Sequence, residues 1–210
     1  MRNPWLDIPS PDYTGHMESP AVGQRPVLRR LLGDAIKVQH PQALLLLGCS
    51  DGDGLEHVDP LITTQVTCVD INPAYLERLR SRFPHPAYAL TLQCADVAEL
   101  ALEPASFDLV HAALLFEYVA WPSVLPRLAG ALRPHGTLSI VLQLPSLTEP
   151  AVSPTPFASL RQLETIFQFV DPNDLLRRAA SLGLAVQSRR TESLPAGKAF
   201  EVLHFSLVAV

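Results

Sequence analysis

Between residues 48 and 54 the chain reads Gly48-Cys49-Ser50-Asp51-Gly52-Asp53-Gly54. Glycine tolerates positive φ and lets another molecule approach the backbone with no Cβ in the way, so a turn of this kind is a ligand seat. A dinucleotide fingerprint started at Gly52 and Gly54 puts His57 where the third glycine belongs. A phosphate loop would need a lysine after its last glycine, and none follows; Asp51, Asp53 and Glu56 would repel a phosphate. The same carboxylates would attract a ligand carrying ammonium and sulfonium groups, because unlike charges interact more strongly in a partly desolvated site than in bulk water. Asp70 lies about 20 residues beyond the turn, a placement suited to accept hydrogen bonds from both hydroxyls of a ribose.

These residues need a scaffold, and the flanking sequence supplies one. Ala43-Leu44-Leu45-Leu46-Leu47 is apolar without alternation, as a strand buried on both faces is. A second strand over residues 66–69 delivers Asp70. Asn72-Pro73 then starts a helix, with Asn as its cap, proline at the first helical position and Leu76, Leu79 and Phe83 on its buried side. From Pro26, the residues Leu28, Leu31, Leu32, Ala35 and Ile36 recur at helical spacing, so another helix precedes the first strand. A short helix is expected over residues 54–61. Residues 1–20 carry Pro4, Pro9, Pro11 and Pro20 and predict an extended arm with little regular structure. That arm is open to two readings: a flap bringing Tyr13 or His16 over the seat, or a surface segment held by Trp5 and Ile8.

The first strand, the glycine turn and the acid after the second strand resemble class I S-adenosylmethionine-dependent methyltransferases. Their pattern is an acid, then three glycines at alternate positions, then a further acid after the second strand. Here Leu46 stands for the first acid and Ser50 for the second glycine. The resemblance runs from residue 43 to 210. It implies a three-layer α/β/α sandwich around a seven-stranded, mostly parallel Rossmann-like sheet with an antiparallel C-terminal hairpin. S-adenosylmethionine is the implied cofactor, held by Gly48, Cys49, Ser50, Asp51, Gly52, Gly54, Asp70, Ile71, Asp96, Val97, His111 and Ala112. Within the resemblance, Asp96 would accept from the adenine amine and the Val97 amide would meet a ring nitrogen. Asp96 could equally cap a short helix over residues 97–100. Residues 106–119 resemble the family's fourth strand, with His111 near the transferable methyl. If the acceptor is a hydroxyl, His111 is the candidate base, with His16, Tyr13 and Glu117 behind it; the alternative for His111 is a hydrogen-bonded core residue. The Asn/Asp-Pro-Pro-aromatic signature of relatives acting on amino nitrogens is replaced by His111-Ala112-Ala113-Leu114.

Later segments fit the same scheme. A helix over 123–132 is followed by Arg133-Pro134-His135-Gly136 and a strand over 137–144. A proline-studded loop over 145–156 is either a lid on the substrate side or a surface excursion. Residues 157–169 have helical character, Asp171-Pro172 starts a helix stopped at Gly183, and two strands joined through Pro195-Ala196-Gly197 end the sheet. The sequence thus divides into an arm over 1–20 and one domain over 21–210.

Composition bounds the partners. At 210 residues, 48% hydrophobic and 18% charged, the chain suits one α/β domain. A net charge of -5 with scattered Lys and Arg argues against a nucleic-acid partner, and with the chain's size it favours a small-molecule acceptor while leaving a protein side chain open. Cys49, Cys68 and Cys94 form neither a disulfide framework nor a zinc spacing, so no metal is expected and a reducing cytoplasm fits. No signal-peptide core is evident and no run approaches the ~18 apolar residues of a membrane span. The rival functions are a non-catalytic protein that keeps this fold with a relaxed cofactor site, and an NAD oxidoreductase, which the acidic turn opposes.

Overall fold

The computed structural model describes residues 2–194 and 197–207. Its strands are β1 (Ala43–Leu47), β2 (Gln65–Asp70), β3 (Ala89–Cys94), β4 (Phe107–Ala113), β5 (Leu132–Gln143), β6 (Leu184–Ser193) and β7 (Ala199–Leu207). They form one sheet in the order β3-β2-β1-β4-β5-β7-β6. The first five run parallel, and β7 pairs antiparallel with both β5 and β6. Of the turn expected to join β6 and β7, Pro195 and Ala196 lie outside the described residues, as does Val208 at the end of the expected last strand.

Every residue of β1 is buried, and strand alternation explains the unbroken apolar run. Leu44 and Leu46 join a core cluster with Leu32, Ala35 and Ile36 of α2 (Gln24–Gln39) and Leu76 and Leu79 of α3 (Pro73–Arg82). Leu45 and Leu47 face the other way, among Val124, Leu125 and Leu128 of α4 (Trp121–Ala131) and Leu175 and Ala179 of α5 (Pro172–Ala180). The sheet is therefore the middle of three layers, and the carboxyl ends of β1, β2 and β4 open at one edge. The caps behave as expected: the Asn72 side chain accepts from the Ala74 amide at 3.0 Å and Asp171 from the Asn173 amide at 2.8 Å. No described helix is long and apolar enough to cross a membrane.

Four segments differ from expectation. Instead of an extended arm, Pro4–Asp7 is a 3-10 turn and Ser10–Glu18 is a helix, α1. Pro11 falls in the first turn of α1, where an amide would have no partner in any case. The helix expected over 54–61 shrinks to a 3-10 turn, Leu55–His57, since Pro60 lacks an amide and the Leu61 amide turns onto the Asp59 side chain at 2.9 Å. Residues 97–100 form a turn rather than a helix. Over 157–169 the regular part is the 3-10 segment Ala158–Thr165.

Candidate functional site

β1 ends in a turn whose backbone takes positive φ at Gly48, Ser50, Gly52 and Gly54. One carboxylate holds its near end. Asp70, the last residue of β2, accepts from the Ser50 amide at 2.8 Å through one oxygen and from the Asn72 amide at 2.9 Å through the other. Its side chain is almost wholly buried, and desolvation raises its pKa to about 6 against the opposing pull of these amides.

Gly48, Ser50, Asp70, Ile71, Asp96 and Val97 line one cavity of about 70 Å³ with Trp5, Tyr13, Tyr75 and Tyr118. Asp70 and Asp96 thus share a cleft, as a nucleoside site requires. Asp96 also accepts from the Ala98 amide at 2.8 Å, capping a turn in place of the expected short helix. The buried hydroxyls of Ser50 and Tyr75 have no hydrogen-bond partner. Buried polar atoms are rarely left unpaired, so these two hydroxyls and the free lone pairs of Asp70 mark a seat for a polar ligand. Ribose and adenine carry the complementary groups.

The other residues expected at the site lie elsewhere. Asp51 is fully buried, and Arg25, Arg78 and Arg82 all bridge to it. Asp53 bridges to Arg25 and Arg82, and Glu56 to Arg29. The acids of the turn are thus neutralised by arginines of α2 and α3, and the expected attraction of a sulfonium by these carboxylates does not follow. Gly52 and Gly54 are required by packing: a Cβ would come within 2.9 Å of Leu79 and 2.8 Å of Leu32, respectively. Ala112 points into the core on the α4–α5 face.

Cys49, Asp53 and His111 line a second, smaller cavity with Leu46, Arg25, Leu28 and Leu32, which shares Tyr13, Gly48, Ser50 and Ala113 with the first as common walls. His111 is buried there, with Nδ1 2.9 Å from Ser139 Oγ. Burial pushes its pKa down to about 3, with a smaller push from His204. The imidazole is therefore neutral and a weak base. Among the described residues no group of three His, Cys, Asp or Glu side chains is arranged to hold a metal ion.

Residues 45–140 match a family model described as a methyltransferase domain. Over that segment the chain is similar to methyltransferase domains, and its sheet and flanking helices have their Rossmann-like fold. A trans-aconitate 2-methyltransferase of Methylobacterium radiotolerans is 33% identical over 118 residues, spanning 55% of this chain and 43% of that protein. The N-methyltransferase NodS of Bradyrhizobium japonicum WM9, solved with S-adenosyl-L-homocysteine, superposes with a TM-score of 0.72 at 15% identity, covering 98% of this chain and 99% of that one. The [4+2]-cyclase SpnF gives 0.68 at 13% identity, over 87% and 80%. At such identities these two likenesses concern the fold alone.

Part of the wall of the cleft is aromatic. Trp5 meets Tyr13 and Tyr118 edge to face, with ring centroids 5.6 and 5.1 Å apart, and Tyr13 stacks on Tyr75 at 5.9 Å. The Asn72 side-chain amide donates to the Trp5 and Ile8 carbonyls at 2.9 and 3.1 Å, which pins the N-terminal segment beside Asp70. That segment brings Tyr13 to the cleft and is held in place through Trp5 and Ile8, so it combines an element of each reading. Sequence reasoning missed Tyr75 and Tyr118. Tyr75 had one signal, its place two residues after the Pro73 helix start and five after Asp70.

Proposed function

We propose that this domain binds S-adenosylmethionine in the cleft between Asp70 and Asp96 and transfers its methyl group to a small-molecule acceptor. The observation that carries the reading is the convergence of Gly48, Ser50, Asp70 and Asp96 on one cavity, where the lining residues Ser50 and Tyr75 each bear a buried hydroxyl with no partner. Bound there, the cofactor supplies a methyl carbon whose bond to sulfur breaks as an acceptor lone pair bonds to it, the bonding electrons staying on sulfur. The chain's own contribution is placement. Asp70 keeps lone pairs for ribose hydroxyls, Asp96 and the Val97 amide face the adenine side, and Trp5, Tyr13 and Tyr118 exclude water. Holding acceptor and methyl in line can supply ~7 to 11 kcal/mol of barrier lowering with no base at all. His111 is not needed as that base. Where a proton must leave the acceptor, His16, which lines the chamber next to the cleft, is the candidate.

A small acceptor is supported by the acidic balance of the chain and by its likeness to a protein named for methylating trans-aconitate; a cytoplasmic setting goes with the free cysteines. Calorimetric titration with S-adenosylmethionine and S-adenosylhomocysteine tests the reading. Wild type should bind both, and Asp70→Ala should weaken both by at least about tenfold, the cost of losing a buried charged acceptor. No heat from wild type at about millimolar ligand would favour a non-catalytic protein that keeps this fold.

A further inference from the structure

Beyond the aromatic wall lies another chamber. It shares Trp5, Tyr13, Leu114 and Tyr118 with the cleft between Asp70 and Asp96, so the two are neighbours across those side chains. One side is apolar, from Leu160, Leu163 and Phe167, and the other is polar, from His16, Gln24, Gln143 and Lys198.

The polar side has an unbalanced charge. Lys198 is 4% exposed, and its Nζ donates to the Ala151 carbonyl at 2.8 Å. Among the described residues no carboxylate lies within ion-pair distance of it; Glu149 acts only from farther away. The Gln143 amide donates to the same carbonyl at 2.7 Å, and Gln24 reaches Gln143 at 3.4 Å. His16 is buried close enough for the ammonium to push its pKa down, after burial itself. A buried ammonium on one neutral carbonyl is an expensive arrangement unless an anion completes it.

We propose that this chamber is the acceptor site and that the acceptor is a small organic acid, its carboxylate facing Lys198 and its apolar body lying against Leu160 and Leu163. The assignment rests on the methyl-transfer reading for the word acceptor, whereas the preference for a carboxylate rests on the chamber alone.

The experiment compares acids with their uncharged amides: benzoate with benzamide and hexanoate with hexanamide, titrated into the full chain with and without saturating S-adenosylhomocysteine. Wild type should bind the acids at least about tenfold more tightly than the amides, the usual strength of a charge-assisted contact. Lys198→Met should abolish that preference and Lys198→Arg should keep it, both variants binding S-adenosylhomocysteine as wild type does, which shows that they are folded. Equal affinity for acid and amide in wild type, or a preference that survives in Lys198→Met, overturns the proposal. If S-adenosylhomocysteine fails to bind while the acids still bind through Lys198, the methyl-transfer reading falls and the anion site stands.

Discussion

Glu117 offers the sharpest test of the electrostatics around the cleft. It follows β4, next to Tyr118, and is buried. One carboxylate oxygen accepts from the Gln143 amide at 2.6 Å, and the other has no partner. Desolvation raises its pKa from 4.5 to about 7, and the Gln143 contact only partly opposes this. A value raised by folding means that the native state holds the proton more tightly than the unfolded chain does. The stability from this group is therefore fully present below 4.5 and is lost as the pH rises through 7. Linkage across that window makes the group worth about 2.5 kcal/mol more at pH 5 than at pH 8.

Other groups titrate in the same range and must be removed from the comparison. Asp70, raised to about 6, acts in the same sense. His111, lowered to about 3, acts in the opposite one, because the unfolded histidine takes up a proton that the folded one refuses. The informative quantity is the difference between wild type and Glu117→Gln. The variant keeps a carbonyl oxygen for the Gln143 amide but cannot ionise. Urea denaturation at a series of pH values should show the stability of wild type relative to Glu117→Gln falling by about 2.5 kcal/mol between pH 5 and pH 8. A gap that stays within about 0.5 kcal/mol across that range would refute the burial argument.

Three further outcomes are expected. The His111 ring should stay neutral down to about pH 4 in a nuclear magnetic resonance titration, as its value near 3 requires; a midpoint near its ordinary value would restore it as a candidate base. Arg25→Met should destabilise the chain by about 2 to 3 kcal/mol in urea, since it strips a buried partner from Asp51 and Asp53, while Arg78→Met, whose side chain is half-exposed, should cost under about 1 kcal/mol. Equal losses would contradict the burial of the network. Because the cleft holds only about 70 Å³ and small-molecule sites run to about 300 Å³ or more, binding of S-adenosylhomocysteine should displace the Trp5 segment. In a Trp121→Phe background, Trp5 emission should therefore shift on binding, and an unchanged spectrum at saturation would exclude that opening.

The fold was legible in the sequence where one local rule decided each element. The apolar run of β1 has no meaning except burial on both faces, and Asn72-Pro73 has no better use than a helix start. Asp70 and Asp96 could be placed together because both follow strands whose order in the sheet the resemblance implied. The acids of the turn were misread because a sequence shows a charge without its partners. Arg25, Arg78 and Arg82 are about 25 to 30 residues from Asp51 along the chain and reach it only once α2 and α3 have packed on the sheet. The N-terminal segment was misread for another reason: prolines were counted, but their position within a helix turn decides whether they break it. Tyr75 has only its place after the Pro73 helix start to mark it and Lys198 has no local pattern at all, so the tertiary structure is what brings them to a cavity.

Moving the acids of the turn out of the site changes what can favour a sulfonium there. Asp51 and Asp53 face arginines and present no free charge to the cleft, so the attraction has to come from groups on its other wall. In the methyl-transfer reading proposed above, Trp5, Tyr13 and Tyr118 would supply it in a different form. Aromatic faces are electron-rich and attract a cation by about 0.5 to 2 kcal/mol each when water is excluded. They do so without offering a nucleophile or a competing counterion. The same side chains separate the cleft from the chamber that contains Lys198. A cation on one side of this wall and an anion on the other attract one another along the line that joins the two cavities, whereas the free carboxylates expected from the sequence would have drawn the sulfonium back toward the glycine turn, away from any acceptor.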